Sequence, residues 1–442
     1  MSLMPMSPSL TVPSGAPIIL AMKVAFYTLG CKLNQAETES IVEQFSRSGF
    51  HVVAPDDMAE VYIANTCTVT HVADRKSRHW LRLARRRNPQ ALVVAAGCYA
   101  QRSPEELADI ADLVVDNREK ENLPELVQNL AREEAQADED EAEQAPLPAA
   151  TFRTRSLTKI QDGCHGPCAY CIVPRVRSHA YSVPVSRIIE DVKQKVASGY
   201  REVVLTGTRV GSYSNDGSDL GGLLGRILHE TDIERLHLSS LQPSEISTDF
   251  LGLWQDERLC RHFHLALQSG SGGVLRKMKR SYSLDQYATT MSLIRETMPD
   301  AAITTDVIVG FPGESDDEFE ESHSFCLQAG FANIHVFPFS PRPETSAEKM
   351  PGQIKDRIKR ERTQRMLDLS RSSRLRFCQQ FLGQIMPVLW ERETGPGSGV
   401  YSGLTNNYIR VFAKSEKPLS NEIAPVKLLE YDDQAMLGEM VP

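Results

Sequence analysis

Ile160-Gln161-Asp162-Gly163-Cys164-His165-Gly166-Pro167-Cys168-Ala169-Tyr170-Cys171-Ile172-Val173-Pro174 puts three cysteines within eight residues, just after a candidate strand, Leu157 to Gln161. The spacing C-x-x-x-C-x-x-C gathers three thiolates around one small volume and leaves a fourth corner without a protein ligand. A structural zinc site is closed by four ligands. An iron–sulfur cube held by three cysteines keeps one iron open to a ligand that is not protein. A disulfide framework fails on arithmetic, since three thiols cannot all pair and the segment is too short to staple. The spacing favours a cluster with an open iron; zinc and buried structural cysteines are the alternatives.

Outward from this motif the chain alternates strand and helix. Candidate strands are Leu157 to Gln161, Glu202 to Thr206, Arg235 to Ser240, His262 to Leu267, Ile303 to Val309 and Asn333 to Phe337. Six β/α units in sequence suit a partial parallel barrel, whose functional groups sit at the C-terminal strand ends, as the cysteine motif does here. Thr206-Gly207-Thr208, Gln268-Ser269-Gly270-Ser271 and Gly310-Phe311-Pro312-Gly313-Glu314 close three of these strands with small residues that let backbone approach a ligand.

Upstream, Lys23 to Thr28, Val61 to Asn65, Ala91 to Gly97 and Leu113 to Asp116 are short apolar runs. Helical stretches at Ala36 to Arg47, Ala73 to Arg87 and Pro104 to Ile110 separate them, which predicts a parallel sheet covered on both faces. Cys31, Cys67 and Cys98 follow the first three runs. Each alone reads as a small core hydrophobe, but three at equivalent strand ends point to a second metal site, because such sheets carry their crevice beyond the carboxyl ends. Downstream, a basic helix from about Gln353 to Gln380 leads to strand signals at Met386 to Glu391, Tyr408 to Phe412 and Ile423 to Leu429, a small five-stranded β-barrel.

The fold class is therefore α/β, in five segments. Residues 1–21 read as a disordered extension, which leaves the start at Met1 or Met22 open. Residues 22–131 form an N-terminal α/β domain and 132–150 an acidic linker. Residues 151–380 form the partial barrel with its following helix, and 381–442 the small all-β module. The apolar patch Pro17 to Met22 is too short to span a bilayer and lacks a basic region before it. Nine cysteines without a disulfide-like framework fit a reducing compartment, so the expectation is cytoplasmic, with no membrane.

The net charge of −9 is an uneven sum. Glu133, Glu134, Asp138, Glu139, Asp140, Glu141 and Glu143 share one stretch. Arg75, Lys76, Arg78, Arg82, Arg85, Arg86 and Arg87 crowd one helix, and Lys355, Arg357, Lys359, Arg360, Arg362 and Arg365 another. Solvated helical faces account for such runs as well as an RNA partner does, so charge neither proves nor excludes nucleic acid.

The cysteine motif resembles that of radical S-adenosylmethionine (SAM) enzymes, and the whole pattern from Met22 to Val441 is similar to the methylthiotransferases. Thr28-Leu29-Gly30-Cys31-Lys32-Leu33-Asn34-Gln35 resembles the branch that modifies N6-threonylcarbamoyladenosine in tRNA; other branches carry Gln-Met-Asn or Pro-Lys-Asn after the cysteine. Leu205-Thr206-Gly207, His335 to Pro343 and Asn407 to Val411 point the same way. The resemblance implies two 4Fe-4S clusters, one on Cys164, Cys168 and Cys171 that cleaves SAM, and an auxiliary one on Cys31, Cys67 and Cys98 that carries the methylthio group. It also implies hydrogen abstraction from adenine C2, SAM contacts at Gly207, Gln268, Ser269 and Gly310, and a TRAM-like RNA-binding barrel. The implied partners are the tRNA anticodon stem-loop and an electron donor such as flavodoxin or ferredoxin. An aromatic C–H is not acidic enough for a side-chain base, so a cofactor must carry that step. No side chain is singled out as catalytic.

Two departures stand out: Thr206-Gly207-Thr208 replaces the Gly-Gly-Glu that commonly meets the SAM amine, and Glu344 stands where relatives commonly have Gly. Among the rest, Cys260, Cys326 and Cys378 read as core, His165 as a spacer, and His262 and His264 as one strand face turned to the barrel interior. Tyr170 is a candidate stacking partner for the SAM adenine, and Arg175 and Arg177 candidates for phosphate or carboxylate. The alternatives are the isopentenyladenosine branch, the ribosomal-protein branch, and a non-catalytic iron–sulfur redox sensor that binds RNA.

Overall fold

The computed structural model describes residues 22–135, 154–432 and 434–441, with backbone alone for 132–135. The extension 1–21 and linker residues 136–150 lie outside the described residues. The linker's first residues do not: a helix runs Leu123–Ala135, past the boundary drawn at 131.

Apolar β-branched runs too short for helices form β1 (Lys23–Thr28), β2 (His51–Val53), β3 (Val61–Thr66), β4 (Leu92–Gly97) and β5 (Leu113–Val115), all parallel. Their order, β2-β1-β3-β4-β5, reverses direction between β1 and β3. Two helices, α1 (Lys32–Arg47) and α2 (His71–Arg87), follow β1 and β3. The Thr70 side chain caps α2 by accepting from the Ala73 amide. β2 escaped the sequence reading because three half-buried residues around a histidine carry no clear period.

The central region is built on β6 (Arg155–Asp162), β7 (Tyr181–Ser182), β8 (Glu202–Gly207), β9 (Arg235–Leu238), β10 (Ser240–Leu241), β11 (His262–Leu265), β12 (Ala302–Val309) and β13 (Asn333–Pro338). Two four-stranded sheets result, β9-β8-β6-β7 and β10-β11-β12-β13. A parallel bridge from Leu236 to Leu259 links them, with the Cys260 amide donating to the Leu236 carbonyl at 2.9 Å. The period of two sorts the side chains. Val203, Leu205, Leu236, Phe263, Leu265, Ile303 and Val307 join one large apolar core beneath the helices. Leu157 and Val204 face the other way and pack on Ala36 of α1. The N-terminal domain thus lays its first helix across the inner face of the central strands.

A helix, α3 (Asp356–Gln379), packs along β13, where Ser370 accepts from the Ile334 amide, and leads to the closed barrel. The barrel strands are β14 (Ile385–Glu393), β15 (Val400–Thr405), β16 (Arg410–Lys414), β17 (Ile423–Tyr431) and β18 (Met436–Met440), in order β14-β15-β16-β18-β17. Trp390 fills its centre, and Phe377, Cys378 and Phe381 from the end of α3 join the same core. Tyr408, expected inside a strand, sits in the turn before β16 with φ +65°. Among the described residues, no helix is long and apolar enough to cross a membrane.

Candidate functional site

The switch point between β1 and β3 opens a crevice at their carboxyl ends, and the loops there carry Cys31 and Cys67. Cys98 begins the short helix after β4. The three come together. Gly30 has φ +99°, and a Cβ on it would stand 2.7 Å from the Cys67 sulfur, so only glycine lets the first loop close on the second. Burial pushes the Cys67 thiol up to about 12, and the nearby Cys98 and Cys31 add to this. Cys31 is solvent-accessible, yet desolvation by the protein around it raises its thiol too. Asn34 fastens the loops: its side-chain amide donates to the Leu29 carbonyl at 2.9 Å and the Thr66 carbonyl at 3.0 Å.

The second triad lies in the loop after β6. Desolvation pushes the Cys171 thiol to about 12, with Cys168 and Cys164 contributing through their proximity. A Cβ on Gly166 would touch the Cys164 sulfur at 3.2 Å and reach the Cys168 sulfur at 4.0 Å. Each triad therefore sits around a glycine that keeps the space beside its sulfurs clear. Among the described residues no group of three Cys, His, Asp or Glu side chains stands ready to hold a single metal ion. The donor set, three thiols and no fourth ligand, fits an iron–sulfur cluster in both places.

The two triads adjoin. Cys98 packs against Ile172 and Val176, which follow Cys171. Arg177, buried, forks onto Glu37 at 2.7 and 2.8 Å, onto Asp162 at 2.8 Å and onto the Asn34 side-chain oxygen at 2.9 Å. It is thus spent inside the protein, and the expectation that it meets phosphate or a SAM carboxylate is corrected: the carboxylates of its own chain consume its donors. Burial pushes the Glu37 carboxyl up, but Lys120 and Arg177 outweigh that and hold it well below the usual range. Arg175 is exposed. A third tie comes from the segment after β13, where fully buried Arg342 donates to Asp74 at 2.6 Å and to Thr68, beside Cys67, at 2.9 Å.

The four candidate SAM-contact residues are placed differently. Gly207 ends β8 so close to β6 that a Cβ would meet the Gln161 carbonyl at 2.7 Å. Gln268 has φ +70° and its backbone bridges Asp306 and Ile308. Ser269 is fully buried, and its hydroxyl accepts from the Ser271 amide. Gly310, at φ +72°, donates its amide to Glu314. Sequence reasoning missed Arg280, whose guanidinium donates to the Cys168 sulfur at 3.2 Å. No local pattern in Lys277-Met278-Lys279-Arg280 signals that contact. Tyr170 packs beside Phe311 and Met278, and His165 is exposed. Cys260, Cys326 and Cys378 are buried.

His262 and His264 belong to a polar chain on the inner face. The His237 and His262 rings meet at 2.7 Å, His262 and His264 both reach the Thr304 hydroxyl, and His264 approaches Asp306 at 3.2 Å. Burial lowers His237 and His262 well below the ordinary value, so both rings are neutral near pH 7. Tyr408 of the last barrel stacks on both, at 4.1 and 4.7 Å between centroids. The basic helices are partly consumed: Arg85 pairs with Asp112, Arg87 with Asp56, Arg362 with Glu314 and Arg365 with Glu320.

Residues 23–116 match the family described as Uncharacterized protein family UPF0004, and residues 158–326 match the Radical SAM superfamily. A Bacillus subtilis protein named threonylcarbamoyladenosine tRNA methylthiotransferase MtaB is 35% identical over 426 residues, covering 92% of this chain and 94% of its own. Its Aquifex aeolicus namesake is 38% identical over 401 residues, covering 88% and 96%. A tRNA-2-methylthio-N(6)-dimethylallyladenosine synthase from Syntrophotalea carbinolica is 32% identical over 437 residues, covering 94% and 100%. Among solved structures, a radical S-adenosylmethionine methyltransferase from Kitasatospora setae with cobalamin and an iron–sulfur cluster bound has a TM-score of 0.55. At 14% identity over 74% of this chain and 77% of that one, it is a likeness of fold.

Proposed function

The chain belongs to the methylthiotransferase family of radical SAM enzymes, and from that premise we propose that it places a methylthio group on C2 of N6-threonylcarbamoyladenosine next to the tRNA anticodon. The observation that carries this reading is the identity to relatives named for that nucleoside, 32% to 38% over most of the chain, against 27% to 32% for relatives named for dimethylallyladenosine. Membership implies SAM and a 4Fe-4S cluster.

In this reading Cys164, Cys168 and Cys171 hold the cluster that meets SAM, and Cys31, Cys67 and Cys98 hold a second. When bound, these groups supply the radical and sulfur chemistry that no side chain of the protein can perform. The chain's own residues place them. Arg280 sets a positive charge beside the Cys168 sulfur, which favours the thiolate as a ligand. Asn34 and Arg177 fix the two loops relative to each other, and the packing of Cys98 on Ile172 and Val176 brings the triads side by side. That adjacency supports transfer between two groups across one substrate. Gly207, Gln268, Ser269 and Gly310 are proposed to line the SAM side through backbone groups. The central strands are read as a partial (β/α)6 barrel and the last barrel as a TRAM-like surface for the anticodon stem-loop. A flavodoxin or ferredoxin in the cytoplasm is the proposed electron source.

Nucleoside mass spectrometry of tRNA tests this reading. In a strain lacking the gene, 2-methylthio-N6-threonylcarbamoyladenosine disappears; the wild-type gene restores it, and a Cys67→Ala variant does not. Loss of the isopentenyladenosine product instead would overturn the substrate and keep the chemistry.

A further inference from the structure

β13 is the outer strand of its sheet, and its two faces differ. Ile334 and Val336 join the apolar core beneath the helices, so by the period of two His335 and Phe337 turn to the inner face. Phe337 is 45% exposed there, the one exposed phenylalanine among the described residues. His335 is accessible to solvent, yet desolvation by the protein around it lowers its ring below the ordinary value. This face therefore lines a recess.

A single exposed apolar side chain is ordinary on a surface; what sets Phe337 apart is its position. Opposite it in the register stands Ile308, which packs with Phe311 and Phe339 against Ala169 and Tyr170 of the Cys164 motif. Just past the strand, the Ser340 hydroxyl accepts from the His71 amide, and Arg342 donates to Thr68, beside Cys67. The strand end that carries Phe337 is thus tied to the loops of both triads. Asp306, opposite His335, lies diagonally across from the ring. His264 approaches one of its oxygens at 3.2 Å, and the other has no partner among the described residues. An open aromatic face with a free acceptor beside it suits a purine, whose ring stacks while an exocyclic N–H donates to the carboxylate.

Resting on the function proposed above, we propose that Phe337 is the platform on which the target purine of the RNA stacks, beside the two cysteine triads. Stacking on a preplaced ring holds a base that has left its own stack and offers it edge-on to the chemistry. The adenine of SAM is the competing occupant, and the test separates the two.

The test measures binding of the reconstituted holoenzyme, with SAM and without reductant, to two anticodon stem-loops. One carries N6-threonylcarbamoyladenosine at the target position, and the other is abasic there. Wild type is expected to bind the first about tenfold or more tightly. Phe337→Leu keeps an apolar side chain at an exposed position; it should lose most of that preference while binding the abasic RNA as wild type does. Phe337→Tyr, which keeps a ring, should retain the preference. A preference undiminished in Phe337→Leu overturns the proposal. Equal weakening toward both RNAs does so too, because it makes the ring a structural prop. Weaker SAM binding with the base preference unchanged also overturns it and gives the ring to the SAM adenine. Failure of the proposed function is seen separately, as wild type that, once reduced, does not methylthiolate the first stem-loop.

Discussion

Asn34 shows how one side chain orders two loops that are far apart in sequence. Its amide holds the carbonyls before Cys31 and Cys67, while its oxygen receives Arg177, six residues past Cys171. The arginine in turn is the counter-charge of Glu37 and Asp162. Removing it with Arg177→Met leaves Lys120 and Lys159 as the remaining counter-charges of these two carboxylates, and we expect a loss of about 2–3 kcal/mol in denaturant unfolding. Gly30 acts through its missing side chain. In Gly30→Ala the methyl group collides with the Cys67 sulfur at a φ that alanine avoids. The expected result is purified protein holding about half the wild-type iron, with the Cys164 site retained; full iron would refute the role given to that glycine. Glu344 has φ +65° in the segment that also bears Arg342, a left-handed backbone conformation that glycine adopts without strain. Glu344→Gly should therefore be neutral or slightly stabilising in thermal melts.

At the scale of elements, α1 does most to join the chain. Its apolar face reads like that of any helix covering a parallel sheet, and the sequence assigned it to the N-terminal domain alone. Period and composition say which face of a helix is buried but not against what. In the structure Ala36 meets the central strands, Glu37 meets Lys120, Lys159 and Arg177, and Leu33, Ile41 and Phe45 are buried. Because the folded Glu37 carboxyl is held below its unfolded value of about 4.3, its stabilisation is present above that pH and fades as pH falls through the folded value. Wild type should thus lose melting temperature more steeply than Glu37→Gln below about pH 4, and be the more stable of the two at pH 7. Parallel curves would show that Glu37 does not carry the link. The strands themselves were readable where apolar runs ended in Gly or Cys; β2 and β18, short or only half-buried, gave no such signal.

Across the whole molecule the last barrel is bound to the central strands, not tethered to them. Tyr408 stacks on His237 and His262 while Arg155 pairs with Glu391, and Arg235 donates to the Leu404 and Pro387 carbonyls. Tyr408→Ala should cost about 2–4 kcal/mol and release the barrel first, seen as faster amide exchange in residues 385–440. The sequence by itself determined the α/β order, the cysteine run Cys164 to Cys171 and the small β-module, because strand period and close cysteine spacing are local properties, while Cys31, Cys67 and Cys98 were read from their equivalent places at strand ends. Only the tertiary structure decided that Arg177 is internal and that Arg280 touches Cys168. Each of those depends on which charges meet across more than a hundred residues, and burial, which sets their energy, exists only once the domains have closed on one another.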